Sequence, residues 1–306
     1  MNWDATLSNV PRGWTNNRIH FFKYMSESTA KAVLRNQTLR WSTAATLNDP
    51  FEMQLNVTIE GIDVDKVKKR ALEKIWELYS SDQQVPIGNQ LGVALEFMRI
   101  NYPGMSKREL LTRMSGAIDE SFDVIRRNTP RNQSDVMEAL LPIKILSLTV
   151  APDISLMWSH YSNSHRGVVM RFRSISAFDS PFGMAKPIVY TDVRPSFFTE
   201  SYLINSLAGL ESINNREMTD AIIYTKMSDW TYEKEWRISS GHGRNKAAPF
   251  EDIRFGINEL DGIIYGIQMS DGDKAEILDL SADYPNIELM QAIPIQARGK
   301  VGIQNI

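Results

Sequence analysis

The chain has 306 residues, 42% of them hydrophobic and 23% charged, with a formal net charge of −3, the proportions of a soluble globular protein able to bury a sizeable core. It contains no cysteine, which excludes disulfides, thiolate metal sites and a cysteine nucleophile. It has no apolar run of membrane-spanning length, no leader-like start and no block of like charges, so a cytoplasmic protein without membrane partners or a broad nucleic-acid-binding face is expected.

After a polar lead-in, residues 18–25 (RIHFFKYM) read as a short buried strand whose odd residue is Lys23. Periodicity favours a solvent-facing edge for that lysine, with a cleft as the other option. A helix follows over residues 26–37, with Ser26 or Ser28 as its N-cap and Ala30, Val33 and Leu34 at helical spacing. Residues 38–43 return to a strand, and Asn48-Asp49-Pro50 makes a turn. Phe51-Glu52 completes the segment NDPFE, which places acidic groups near the strand carrying Trp41 and Ser42.

Residues 64–141 change character, with apolar residues three to four apart in a run of about four helices broken at Pro103-Gly104 and at Pro130. Strands are then expected over residues 145–150 and 167–173, with a helix containing Trp158, His160 and Tyr161 between them. Two further helical stretches precede residues 233–239 (EKEWRIS), read as a strand. Strands at 260–270 and 287–295 flank a helix at 273–282. The order of elements predicts one α+β domain interrupted by a helical insertion at about 64–141.

Most familiar catalytic signatures are missing, including a phosphate loop, HExxH and GxSxG. The segment GHGRNK (241–246) falls short of a phosphate loop and reads as a flexible turn. His160 and His165, five apart, do not share one helix face and have no acidic cluster beside them, so no metal site is expected. Core packing or capping is the plain reading of His160, and a turn that of His165. In the segment DWTYEKEWRIS (229–239), a strand puts Glu233, Glu235 and Arg237 on one face and Lys234, Trp236 and Ile238 on the other. Arg237 can bridge the two acids, or the acids can form a site in which one holds a proton.

The stretches FFKYMSESTAKAVLRNQTLRWSTAATLNDPFE, MWSHYSNSHRGVVMRF and WTYEKEWRI, in that order, resemble a bacterial family catalogued as a domain of unknown function. The layout is also similar to ADP-ribosyltransferases. That resemblance implies a split, mixed or antiparallel β-sheet core and NAD as a substrate. It carries Lys23 onto the position of a ribose-binding His or Arg, Ser42 onto the end of the second strand, Tyr161 onto the stacking aromatic and Glu233-Lys234-Glu235 onto a Glu-x-Glu motif. Glu235 would stabilise the sugar cation, with Glu233 positioning or deprotonating the acceptor. Lys23 or Arg237 would meet ribose or phosphate oxygens, and Tyr24, Trp158 and Tyr161 would sandwich the nicotinamide ring. The acceptor would be a protein, RNA or DNA, and a toxin or antiphage defence role would bring an antitoxin or chaperone partner. Two other readings stand beside it. One is a metal-independent nuclease or hydrolase using Lys23 and the acid pair; the other is a non-catalytic nucleotide-binding module, favoured by Lys23 standing where His or Arg is usual.

Overall fold

The computed structural model describes residues 13–81, 86–212 and 215–306; the polar lead-in over residues 1–12 lies outside them. Two compact units form. One takes residues 13–53, 140–193 and 223–306, the other residues 54–139 and 194–222. The helical stretch expected at about 64–141 is therefore only part of the second unit, which also draws on a later segment.

The first unit is built on a mixed sheet. Strands β1 (His20–Met25), β2 (Thr38–Ser42), β3 (Ile145–Thr149) and β4 (Val168–Arg173) supply its centre. Two-residue β5 (Lys186–Pro187), together with β8 (Glu235–Ser239), β9 (Phe250–Arg254), β10 (Leu260–Tyr265), β11 (Glu288–Ile295) and β12 (Lys300–Asn305), completes it. One wing runs β12-β11-β10-β4-β1, with β1 and β4 in register over six pairs from His20↔Arg173 to Met25↔Val168. The β10–β11 pairing is parallel and its neighbours are antiparallel. The other wing joins β3 to β8 over five pairs, β8 to β5, and β2 to β9. The wings meet weakly, since β1 and β3 share the register pair Phe22↔Thr149, and beside that junction β2 joins β3 through Ser42↔Ile145. A sheet paired this sparsely along its middle parts there, and the parting makes a cleft. Strands β6 (Val189–Thr191) and β7 (Thr225–Met227) pair separately and in parallel.

One face of the sheet carries Phe21, Leu39, Trp41, Leu146, Leu148, Phe172, Ile238 and Ile263 in a continuous core. Against it lie α1 (Glu27–Asn36), through Ala30, Val33 and Leu34, and a helix near the end of the chain, Asp271–Ser281, through Ile277. Ser26 caps α1 by accepting from Thr29 N at 3.2 Å, as its position in the sequence leads one to expect. The other face carries Tyr24, Val169, Ile264 and Met290, covered by Met157 and Trp158 of the helix Ser155–Tyr161.

The second unit is helical. Its α2 (Val64–Ser80) buries Val67, Ala71 and Ile75, four residues apart on one face, against Leu95 of α3 (Gln90–Asn101) and Leu110, Met114, Ile118 and Phe122 of α4 (Lys107–Leu140). Asp63 and Asn89 cap α2 and α3 by accepting from backbone N–H groups. The expected break at Pro130 does not occur: α4 runs through it, leaving three helices among the described residues where about four are expected. A proline removes one rung of the ladder and need not end a helix whose other rungs are intact; here Thr129 Oγ1 also donates to Ile125 O at 2.9 Å. The remaining helices are α5 (Ser155–Tyr161) in the first unit, α6 (Glu200–Leu207), α7 (Asn215–Ile223) and α8 (Asp271–Ser281). Among the described residues no helix is long and apolar enough to cross a membrane.

Gly167 tests the packing where α5 hands over to β4. A Cβ there would sit 2.1 Å from Met25 O, a distance that no rotamer relieves. Gly167→Ala is therefore expected to cost about 2 kcal/mol through overpacking, read as a melting temperature several degrees lower by calorimetry.

Candidate functional site

The segment around Glu233 is not one continuous strand. Residues Ser228–Glu233 form a 3₁₀ turn, Lys234 takes the left-handed conformation with φ 48°, and β8 begins at Glu235. The alternation expected from the sequence holds from there onward: Glu235 and Arg237 share one face, while Trp236 and Ile238 face the core. Glu233 lies outside the strand, so the prediction of three charged residues in one strand row is corrected. The turn is pinned instead by Thr149 Oγ1, which donates to Glu233 O at 2.7 Å.

The three side chains still converge, on a cation that the sequence reading did not single out. Lys226 of β7 places its Nζ 2.7 Å from Glu52 Oε1, 2.6 Å from Glu233 Oε2 and 3.1 Å from Glu235 Oε2. Arg237 donates through Nε to Glu235 Oε1 at 2.7 Å, through Nη2 to Glu235 Oε2 at 2.9 Å and through Nη1 to Ile223 O at 2.9 Å. Its Nη2 also pairs with Glu52. All five side chains are buried. The NDPFE turn accounts for Glu52: Asp49 Oδ1 accepts from Phe51 N at 2.8 Å, and the turn aims the glutamate at the cluster. The signal for Lys226 was a lone charge behind an apolar pair, Ile222-Ile223, and it is weak.

Three carboxylates against two cations leave the glutamates in different states. Burial pushes both Glu233 and Glu235 up. At Glu235 the Arg237 guanidinium and the Lys226 ammonium overcome that and bring it down to about 2, helped by a hydrogen bond from Ser147. At Glu233 burial wins over Lys226 and over the Tyr161 hydroxyl, and its carboxyl is held above the usual range. Lys226 and Arg237, despite burial, are held in their charged forms by the acids around them.

A cavity of about 260 Å³ opens beside this cluster. Lys23, Ser42, Tyr161, Glu52, Lys226 and Glu233 all line it, with Phe22, Tyr24, Arg40, Asn48 and Ser147. Lys23 is not at a solvent-facing edge. Its Nζ donates to Ser147 O at 2.9 Å across the parting of β1 from β3, and desolvation lowers its pKa to about 8, with the Glu235 charge opposing. Tyr161 donates to Glu233 Oε1 at 2.5 Å and accepts from Asn48 Nδ2 at 2.9 Å. Burial and the Glu233 carboxylate push its hydroxyl pKa up.

Four expected site residues are engaged by the protein's own groups. Trp158 is fully buried, and its Nε1 donates to Pro152 O at 2.8 Å, so its ring has no face for a ligand. Tyr24 is tied down at its hydroxyl, which donates to Ala151 O at 3.0 Å and accepts from Ile154 N at 3.1 Å. Glu235 and Arg237 do not line the cavity, having spent their polar atoms on each other, Lys226, Glu52 and Ile223.

His160 is exposed rather than packed in the core, and its ring meets that of Tyr161 edge-on with centroids 6.5 Å apart. His165 does sit in a turn, and its ring stacks on Trp158 at 6.2 Å with the planes 9° apart. Asn163, Ser164 and His165 all have positive φ, between 46° and 66°, a costly run for residues other than glycine. Ser164 N to Ser159 O at 3.2 Å, His165 N to Trp158 O at 3.1 Å and Gly167 N to Ser162 O at 2.8 Å hold it. This turn ends α5 at Tyr161, and the Trp158–His165 stack packs within it.

Among the described residues no group of three or more His, Cys, Asp or Glu side chains is arranged to hold a metal ion. Residues 157–238 match the model of a family described as "Protein of unknown function (DUF2971)". That span begins in α5 and ends in β8, and so takes in Tyr161, Lys226, Glu233, Glu235 and Arg237. No curated protein matches the chain, and no solved structure does.

Removing one partner from a buried ion cluster strands the others. Arg237→Met is expected to destabilise the protein by about 3–5 kcal/mol, and Arg237→Lys to recover only part of that, since an ammonium cannot reproduce the forked contacts to Glu235 and Glu52. Differential scanning calorimetry checks this; a melting temperature for Arg237→Met within a degree or so of wild type would contradict it.

Proposed function

We propose that the cavity binds NAD as a substrate and that the protein transfers ADP-ribose from it to an acceptor. The observation that carries the reading is the convergence of Lys23, Ser42, Tyr161 and Glu233, which come from four separate segments, on one cavity where the sheet parts. At about 260 Å³ the cavity is a little small for a whole drug-sized ligand. It suits the nicotinamide and its ribose, with the rest of the dinucleotide lying towards the mouth at Arg40.

In the chemical step the bond between ribose C1′ and nicotinamide N1 breaks. Its electron pair goes to the nitrogen, which neutralises the pyridinium, and the ribosyl group becomes an oxocarbenium-like cation. The acid cluster carries one more carboxylate than cation, and a fixed field of that sign stabilises positive charge developing beside it. An acceptor O–H or N–H then attacks C1′ and its proton passes to Glu233. This carboxyl is the better proton acceptor of the pair, because burial holds it above the usual range while Glu235 is held at about 2. Glu235 thus acts through Lys226 and Arg237 as a positioning residue, and Glu233 takes the role facing the reaction. Phe22, Tyr24 and Tyr161 are the aromatics that line the cavity; with Tyr24 pinned at its hydroxyl, nicotinamide stacking falls to Phe22 and Tyr161. The resemblance to toxins and defence effectors extends the proposal to a toxin or antiphage role with a neutralising antitoxin or chaperone partner.

A second reading, nucleotide binding without turnover, draws on the full engagement of Glu235. Turnover separates the two. Nicotinamide release from NAD in the presence of cell lysate is expected for wild type and to fall about 100-fold or more in Glu233→Gln, with circular dichroism showing the variant folded. NAD bound but not consumed would support the second reading, and neither binding nor consumption would end both.

The pH profile gives an independent check. Lys23 in its charged form is suited to ribose or phosphate oxygens, and it loses its proton near pH 8. KM for NAD is therefore expected to rise as pH passes upward through about 8, and the rise to disappear in Lys23→Arg, whose guanidinium stays charged.

A further inference from the structure

A second cavity, of about 710 Å³, is lined entirely by residues of the helical unit. One wall is α4, which contributes residues at steps of three and four from Ala117 to Val136, the spacing of a single helix face. That face is continuous because the helix runs through Pro130. Another wall comes from α6 and the residues just before it. Buried Phe198, Leu203 and Leu207 supply apolar surface there, and Val124 and Ile125 of α4 add more. A volume of this size suits a small-molecule ligand.

Shape and charge narrow the occupant. From Ala117 to Val136 the helix rises roughly 28 Å, so a volume of about 710 Å³ along it averages about 25 Å² in section. An α-helix with its side chains is about 10–12 Å across and needs more than three times that section. A partner helix therefore does not fit, whereas one extended hydrocarbon chain does. The ionised side chains that line the groove, Glu120 and Asp135, are both acidic, and no lysine or arginine lines it. Arg131 reaches Asp135 at 3.6 Å between two exposed side chains, where pairing counts for little. Arg126 and Arg127, close to Glu120 in sequence, turn to Asp123 instead, at 3.5 Å and 3.3 Å. The Asn128 and Asn132 amides, one turn apart, add acceptor oxygens to the same wall.

We propose that this groove binds a free long-chain amine, its single alkyl chain lying along the apolar walls and its ammonium meeting the acidic side of α4. A fatty acid would bring its carboxylate to two like charges, and a phospholipid would bring a phosphate to them, both unfavourable. The amine instead satisfies the acids while its tail covers Leu203, Leu207 and Val124. The site is independent of the transferase reading, since none of its lining residues belongs to the unit that holds the NAD cavity.

Isothermal titration calorimetry of the full chain tests this, with dodecylammonium, decylammonium and dodecanoate as probes, each kept below its micelle concentration. Wild type is expected to bind one dodecylammonium per chain. Decylammonium should bind about tenfold more weakly, since each buried methylene is worth about fourfold, and dodecanoate at least about tenfold more weakly, through like-charge repulsion. The double variant Glu120→Gln/Asp135→Asn should lose the preference for the cation. Val124→Trp fills the groove from a partly exposed position and should weaken dodecylammonium at least about tenfold by occupying its space. Asn128→Trp serves as a second plug, and circular dichroism checks that each variant is folded. No binding of dodecylammonium, equal binding of dodecanoate by wild type, or binding that both plugs leave unchanged would overturn the proposal. So would a dimer in sedimentation velocity that the plugs abolish, which would assign the groove to a second copy of the chain.

Discussion

The first unit depends on a cluster of charges that none of its members could occupy alone. Glu52, Lys226, Glu233, Glu235 and Arg237 are all buried, and burying an unpaired charge costs several kcal/mol. They are tolerated together because each carboxylate meets at least one cation within 3.1 Å. Four separate segments contribute, namely the NDPFE turn, β7, the 3₁₀ turn and β8. The cluster therefore ties the local geometry of each to the presence of the other three.

The same cluster separates two glutamates that stand two residues apart. Glu235 has Arg237 wrapped around both its oxygens and is held as a carboxylate. Glu233 shares Lys226 with two other acids and otherwise meets a tyrosine hydroxyl, so burial prevails. Two acids with divergent proton affinities beside a cavity make an acid–base pair in the physical sense. The sheet supplies the cavity itself, since the wings touch through the register pair Phe22↔Thr149 and Lys23 spans the parting by its bond to Ser147 O.

Much of this was legible in the sequence, where local chemistry decides. The first strand, α1 with its Ser26 cap, the NDPFE turn and the face shared by Glu235 and Arg237 follow from period, capping and turn rules. The unit boundaries are harder to read because the second unit takes residues 194–222 as well as the obvious helical run. Lys234 in a left-handed conformation moves Glu233 out of the strand, and lysine does not advertise such a site. Trp158 looked like a ligand-stacking residue because rare aromatics attract that reading, whereas its ring pairs with His165 to close a turn. Lys226 was invisible for a different reason: its meaning lies in contacts with Glu52, 174 residues away, and with acids seven and nine residues on. The short strands β9 and β12 lie at the two ends of the sheet order, have mixed exposure, and carry little periodic signal.

The central claim is that the cluster drives the two glutamates apart in proton affinity. Carboxyl-¹³C NMR titration of glutamate-labelled protein tests it directly, with the Glu233→Gln and Glu235→Gln variants assigning the signals. The account predicts that Glu235 stays ionised down to about pH 2 while Glu233 titrates above the ordinary carboxylate range. Both signals titrating together at the ordinary glutamate value would contradict it.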